Sequence, residues 1–86
     1  MRASRNPLLI QALASELKAR RNAAGMTQED LAGLADLDRP YITLLEAGKK
    51  QPTISVIWRI ADGLGISAAD LMAGVEIRYG EIGRRC

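Results

Sequence analysis

The sequence predicts an all-α fold of five short helices followed by a short extended tail. The chain has no phenylalanine, and its aromatic residues are Trp58, Tyr41 and Tyr79 alone. The core must therefore be built from aliphatic side chains, which favours packed helices over a sheet. Apolar residues also recur at three- and four-residue spacing through most of the chain, and capping residues and glycines divide that pattern into helix-length segments.

The first predicted helix runs from residue 7 to residue 23. Asn6 is a good N-cap, and Pro7 suits the first helical position because proline has no N–H to leave unpaired. Gly25 provides the stop. The apolar stripe of this helix is formed by Leu9, Leu13 and Leu17.

A short second helix follows, capped by Thr27, and a turn then leads into a third helix that starts near Asp38. Two starts of helix three remain open at this stage. Asp38 can cap it directly, or Arg39 is the cap and Pro40 the first helical residue, since a residue before proline avoids the helical region. Helix three continues along an apolar run to Gly48.

Helix four is predicted to start at a cap provided by Thr53 or Ser55, and Gly63 and Gly65 are expected to end it. Its apolar residues repeat every three or four positions. Ser67 then caps helix five, with an aspartate three residues on in the arrangement of a capping box.

The pattern changes after Gly74, where apolar and charged residues alternate with the period of a strand. We therefore assign residues 1–74 to one domain and residues 75–86 to a C-terminal tail. Either the tail folds over its own domain, or it forms an edge strand that pairs across a dimer. The apolar residues of the tail are Val75, Ile77 and Tyr79.

Composition excludes several classes of site. The only cysteine is Cys86 and the chain has no histidine, so we expect no intramolecular disulfide, no zinc site and no other metal or cofactor. Without histidine and with only a terminal cysteine, two usual catalytic groups are missing, and the carboxylates lie mostly at helix starts where capping explains them, so we expect no enzymatic activity. The net charge of +2 leans weakly toward a polyanionic partner.

The longest apolar stretch, residues 8–17, is interrupted by Gln11 and Glu16. It is too short to span a membrane and too polar for a signal peptide. We therefore expect a cytoplasmic protein without a membrane partner.

Residues 28–47 contain two short helices joined by a turn of about three residues, with the small Ala32 where the helices would cross closely. This unit resembles the helix-turn-helix of the phage repressor and Cro-like family, also called the xenobiotic response element family. The resemblance covers about residues 7 to 73. It is carried by Thr27-Gln28-Glu29, Ala32, Glu46-x-Gly48-Lys49, Pro52 and Ala61-x-x-Leu64-Gly65-Ile66.

The resemblance implies a five-helix, lambda-repressor-like DNA-binding domain whose third helix lies in the major groove. It places four residues on the face that meets bases: Arg39, Pro40, Thr43 and Leu44. Four others are expected to contact the DNA backbone: Gln28, Tyr41, Lys49 and Lys50. Gln28 is a candidate to buttress the recognition helix as well, and Arg21 and Glu46 match an ion pair between helix one and helix three.

The chain departs from the family pattern at two points. Asp36 occupies a turn position where the family usually has glycine and where φ must be positive, which aspartate tolerates better than most residues. The base-reading face is also poor in amide groups, which leaves Arg39 as its strongest reader. For Arg39, and for Lys49 and Lys50, the competing interpretation is an ordinary solvated surface charge.

These observations favour a DNA-binding transcriptional regulator, a repressor-type homodimer that binds a two-fold operator through the helix starting near Asp38. The alternative is an antitoxin or protein-interaction module whose partner is a toxin or another regulatory protein. Trp58 either fills the outer side of helix four or contacts a second copy. The candidate dimer contacts are Trp58, Met72, Val75, Ile77 and Tyr79.

Overall fold

The computed structural model describes residues 5–85, which form five α-helices and no strand; residues 1–4 and Cys86 lie outside the described residues. The helices are α1 (Pro7–Ala23), α2 (Gln28–Ala35), α3 (Arg39–Glu46), α4 (Ile54–Leu64) and α5 (Ala68–Arg85). Within this range, none of the helices combines the length and apolar character needed to cross a membrane. The all-α prediction with five helices is confirmed.

Local hydrogen bonds set the helix starts. The Asn6 side chain accepts a hydrogen bond from the backbone N–H of Leu9 at the start of α1. Thr27 and Asp30 form a reciprocal capping box on α2, and Thr53 caps α4. At α3 the cap position is Asp38, although its side chain makes no capping hydrogen bond, so Arg39 and Pro40 lie inside the helix.

Asp36 ends α2 in the left-handed conformation, with φ of 57°. This is the backbone conformation expected at the position where glycine is usual. The Asp36 carbonyl accepts a hydrogen bond from Arg59 Nη1 at 3.3 Å, which joins the turn to α4. The turn between α2 and α3 therefore keeps its geometry without glycine.

Gly63 lies inside α4 and does not end it, contrary to the sequence-based expectation. A β-carbon at this position would lie 3.0 Å from Leu31 Cδ1 and 3.3 Å from the backbone nitrogen of Ala35. Gly63 therefore allows α4 to pack closely on α2. Gly65, at φ of 74°, provides the left-handed stop one residue after the helix.

The core is aliphatic, as predicted, and every helix contributes to it. α1 packs against α5 and α3, whereas α2 packs against α3 and α4. Burying these side chains is the main source of stability in a domain of this size. The largest fully buried residues are Leu17, Leu31, Ile42, Leu45, Ile60 and Leu71.

The predicted extended tail is wrong, because α5 continues through residue 85. Val75 is only 3% exposed and packs with Ala12 and Leu13 of α1, and Ile82 packs against the same cluster. Leu71, Val75 and Ile82 recur at helical spacing, so burying this stripe against α1 outweighs the local alternation that suggested a strand.

Candidate nucleic-acid interface

The outer face of α3 gathers all four predicted base contacts. Ile42 and Leu45 of this helix are buried, so the opposite side is left to solvent. Arg39, Pro40 and Thr43 are exposed there and Leu44 is half-buried. These four residues line one shallow, largely apolar cleft.

The predicted ion pair between Arg21 and Glu46 is present and buried. Arg21 Nε lies 2.7 Å from Glu46 Oε2, and Arg21 Nη2 donates to Glu46 Oε1 at 3.0 Å. Their side chains are 10% and 3% exposed. Arg21 Nη1 also donates to the Met26 carbonyl at 2.7 Å. The hydrogen bonds that Arg21 donates to Glu46 outweigh the effect of burial and raise the pKa of Arg21. This two-point contact fixes the end of α3 against α1.

Gln28 joins this ion pair to the exposed face of α3. Its Nε2 donates to Glu46 Oε1 at 3.0 Å, and its Oε1 accepts a hydrogen bond from Thr43 Oγ1 at 2.7 Å. The buttressing role expected of Gln28 is therefore present in the structure. Its contact with a phosphate stays a prediction.

The sequence does not predict that Thr43 is the residue of α3 that Gln28 contacts. The two residues are 15 positions apart, and their contact depends on how α2 and α3 cross. Thr43 Oγ1 also lies 3.1 Å from the Arg39 carbonyl. The position of Thr43 on the outer face of α3 predicts a contact with DNA. No local pattern in the sequence predicts that its hydroxyl also has partners within the protein.

The predicted backbone contacts differ in their surroundings. Lys49 and Lys50 are exposed in the loop after α3, and the Lys49 N–H donates to the Leu44 carbonyl at 2.9 Å. Tyr41 is half-buried in a cleft that Asp36 and Asp38 also line. Asp36 is itself paired with Arg59, whose Nη1 lies 3.7 Å from Asp36 Oδ2. Acidic residues thus line the cleft of Tyr41, whereas the loop after α3 presents two cations, which makes the lysines the better placed candidates for a phosphate contact.

A second set of ion pairs, which we call the Glu16 network, joins α1 to α5. Glu16 Oε2 lies 2.7 Å from Arg20 Nε, and Glu16 Oε1 lies 2.7 Å from Arg78 Nε. Arg20 also reaches Asp70 at 3.1 Å. Burial acts to raise the pKa of Glu16, but its hydrogen bonds and opposite charges from Arg78 and Arg20 outweigh that effect, so the pKa is lowered.

Because residues 75–79 are helical, the candidate dimer contacts in this segment do not all face solvent. Ile77 and Trp58 are 65% and 55% exposed, and Tyr79 is also exposed while its hydroxyl accepts a hydrogen bond from Asn6. Met72 is half-buried. Val75 was wrongly grouped with them, because it is buried in the core of its own chain.

Residues 17–71 match the helix-turn-helix family. The chain is 35% identical over 69 residues to the HTH-type transcriptional regulator DdrOP3 of Deinococcus deserti, covering 80% of this chain and 53% of the regulator. It is 34% identical over 59 residues to the control protein C.MunI of a Mycoplasma species, covering 69% of this chain and 80% of that protein. The chain thus spans about half the length of the Deinococcus regulator.

Among solved structures, the fold resembles that of the restriction-modification controller protein C.Esp1396I, solved as a tetramer in complex with its natural 35 base-pair operator. The TM-score is 0.78 and the identity 32%, over 83% of this chain and 93% of that protein. The family match covers most of the chain and spans the α2–α3 unit that carries the exposed site. The chain belongs to the helix-turn-helix family.

Proposed function

We propose that this chain is a sequence-specific DNA-binding transcriptional regulator that acts as a repressor-type homodimer on a two-fold operator. The observation that carries the proposal is the exposed face of α3, whose end is fixed by the buried pair of Arg21 and Glu46. The named relatives are a transcriptional regulator and a control protein, and a structural neighbour was solved on its operator. This role requires no catalysis and no cofactor, and it places the protein in the cytoplasm with its DNA.

Base reading is assigned first to Arg39. Its side chain is exposed at the start of α3, the end that enters the groove in this family. A guanidinium can make two parallel hydrogen bonds to O6 and N7 of guanine. Pro40 and Leu44 line the adjoining cleft and offer only apolar contact, which suits a thymine methyl group.

Backbone contacts are assigned to Lys49 and Lys50, with Gln28 and Tyr41 as further candidates. The two lysines are exposed in the loop that directly follows α3. Contacts with phosphate position a protein on DNA without reading its sequence, and they make binding salt-dependent. Replacing either lysine should therefore weaken all sequences about equally and flatten the salt dependence.

Dimerisation is assigned to the exposed apolar side chains that the fold leaves on α4 and α5. Trp58 on α4 and Ile77 and Tyr79 on α5 are exposed. Met72, also on α5, is half-buried. Aromatic residues are enriched in protein interfaces. A dimer that binds two successive major grooves must hold its two recognition helices about 34 Å apart.

The deciding experiment compares Arg39→Ala with wild type on three duplexes: an operator selected from random sequences, that operator with its contacted guanine replaced, and random DNA. Losing a two-point contact to guanine should cost about 1–3 kcal/mol on the first duplex only. Arg84→Ala, which removes the same charge from an exposed position on α5, is the matched control. Equal loss on all three duplexes would make Arg39 a backbone contact.

A protein-interaction module, such as an antitoxin, is the second candidate. The exposed Ile54 and Trp58 on the outer side of α4 favour it, because they could cover a partner surface. If wild type selects no operator and Arg39→Ala leaves binding to random DNA unchanged, this candidate replaces the regulator. A stable complex with a toxin or another regulatory protein that is lost in Trp58→Ala but retained in Arg39→Ala would support this candidate directly.

A further inference from the structure

We propose that Thr43 reads the major groove as a hydrogen-bond acceptor only, and that it selects a base carrying an exocyclic amine, adenine or cytosine, at one operator position. This inference rests on the proposed function, because it requires that α3 enter the groove. It concerns a part of recognition that the exposed guanidinium of Arg39 does not supply.

A threonine hydroxyl has one proton and two acceptor lone pairs, and when free to rotate it can face either a donor or an acceptor. Thr43 is not in that situation. Its Oγ1 lies 2.7 Å from Gln28 Oε1 and 3.1 Å from the Arg39 carbonyl oxygen. Both neighbours are acceptors, so the single proton is directed into the protein whichever of them it meets.

The orientation of the Gln28 amide follows from its other partner. Glu46 receives two hydrogen bonds from Arg21, as expected of an ionised carboxylate, and such a carboxylate accepts but does not donate. The end of the amide that faces Glu46, at 3.0 Å, must therefore be the NH₂ group. The carbonyl end is left facing Thr43, which makes Thr43 the donor in the shorter of its two contacts.

This chain of contacts extends from a buried charge to the protein surface. The ion pair is nearly inaccessible, whereas Thr43 is exposed on the side of α3 that is free of core contacts. The outward side of the Thr43 hydroxyl then presents lone pairs alone. The buried pair thus sets the hydrogen-bonding polarity of a residue at the DNA-facing surface, in addition to fixing the position of the helix.

The major groove turns this polarity into selectivity. Adenine N6 and cytosine N4 carry amine donors, whereas guanine O6 and N7 and thymine O4 are acceptors. Two acceptors brought together without a proton between them lose a hydrogen bond and repel each other. Thr43 should therefore favour an amine-bearing base and disfavour guanine and thymine opposite its hydroxyl.

The binding experiment varies each base pair of an operator selected by the wild-type protein and compares wild type, Thr43→Val and Thr43→Ser. We expect one position at which wild type prefers adenine or cytosine about tenfold over guanine or thymine. Thr43→Val has nearly the same shape without the hydroxyl, and it should lose the preference at that position alone. Thr43→Ser keeps the hydroxyl and should keep the preference.

A preference for guanine or thymine at the position sensitive to Thr43 would overturn the inference. The same holds if a thymine preference survives in Thr43→Val, because the methyl group would then be the reader. A selected operator with no position sensitive to Thr43 would overturn it while leaving the proposed function intact. If the wild-type protein selects no operator at all, the proposed function fails and the reading role of Thr43 fails with it.

A measurement on the free protein tests the internal contact without DNA. Nuclear magnetic resonance should detect the Thr43 hydroxyl proton as a slowly exchanging signal, and Thr43→Val should shift the side-chain amide resonances of Gln28. A hydroxyl proton that exchanges as fast as that of the exposed Ser55 would show that the proton is not held inward, and would overturn the inference independently of any operator.

Discussion

Arg20 and Arg21 are neighbours on α1, yet they join this helix to two different helices. Arg21 binds Glu46 at the end of α3, whereas Arg20 belongs to the Glu16 network that reaches α5. The first pair is almost fully buried. In the second network Glu16 is buried, but its arginine partners are about one-third exposed. The recognition helix is thus fixed by charges shielded from solvent, and α5 by charges that solvent partly screens.

Because of this difference, we expect two similar residues on one helix to contribute unequally to the free energy of unfolding. A buried charge that loses its partner cannot be rehydrated without disrupting the core, whereas a half-exposed arginine can turn toward water. The contact that orients α3 should therefore be rigid, and removing one of its two partners should destabilise the fold strongly. The contact that holds α5 should be weaker, and its strength should depend on pH.

The largest effect is expected for Glu46→Ala, which leaves Arg21 buried and unpaired. We expect a loss of about 3–5 kcal/mol in the free energy of unfolding, measured by urea denaturation. The double variant Arg21→Met/Glu46→Leu removes both charges and should recover most of that loss. A loss below about 1 kcal/mol for Glu46→Ala would show that the two networks do not differ in the proposed way.

A smaller effect is expected for Glu16→Ala in the same assay. Both arginines of the network are part-exposed and become solvated when Glu16 is removed, so we expect a loss of about 1–3 kcal/mol. The released end of α5 should also exchange its amide hydrogens faster than α3 does. Equal loss of protection in α3 and α5 would contradict separate roles for the two networks.

The third prediction concerns Gly74, which packs directly against the Glu16 carboxylate. A β-carbon at this position would overlap the carboxylate of Glu16. Gly74→Ala should therefore destabilise the wild-type protein by displacing Glu16. In the Glu16→Ala background the overlap disappears, and the same substitution should stabilise α5 by up to about 1 kcal/mol through helix propensity. This change of sign would be measured in a double-mutant cycle, and its absence would mean that the two residues do not interact.

The smallest effect expected is a pH dependence of the Glu16 network. Its arginines hold the pKa of Glu16 below the ordinary value of 4.5. A lowered carboxylate pKa stabilises the folded state above the unfolded pKa, and this contribution is lost as pH falls through the folded value. The stability difference between wild type and Glu16→Gln should therefore be constant near neutral pH and should shrink below about pH 4.5. Denaturation at a series of pH values would test this prediction. A stability difference that grows in acid would mean that the pKa of Glu16 is raised and not lowered.

The sequence was sufficient for features that depend on near neighbours. Asn6 and Thr27 cap α1 and α2 through contacts with residues three positions away, so the starts of both helices agree with the prediction. The αL conformation of Asp36 is similarly local. The ion pair of Arg21 and Glu46 spans 25 positions, and only the family resemblance, which carries a tertiary contact, predicts it.

Tertiary structure decided the features whose partners lie far apart in the chain. The segment after Gly74 has the alternation of a strand, but burying Val75 against α1 makes it helical. The contacts of Glu16 with Arg78 and of Thr43 with Gln28 join residues 62 and 15 positions apart. Local propensity determines where a helix can begin, because capping groups lie within one turn. Burial and ion pairing between helices depend on how the helices meet, which no local pattern specifies.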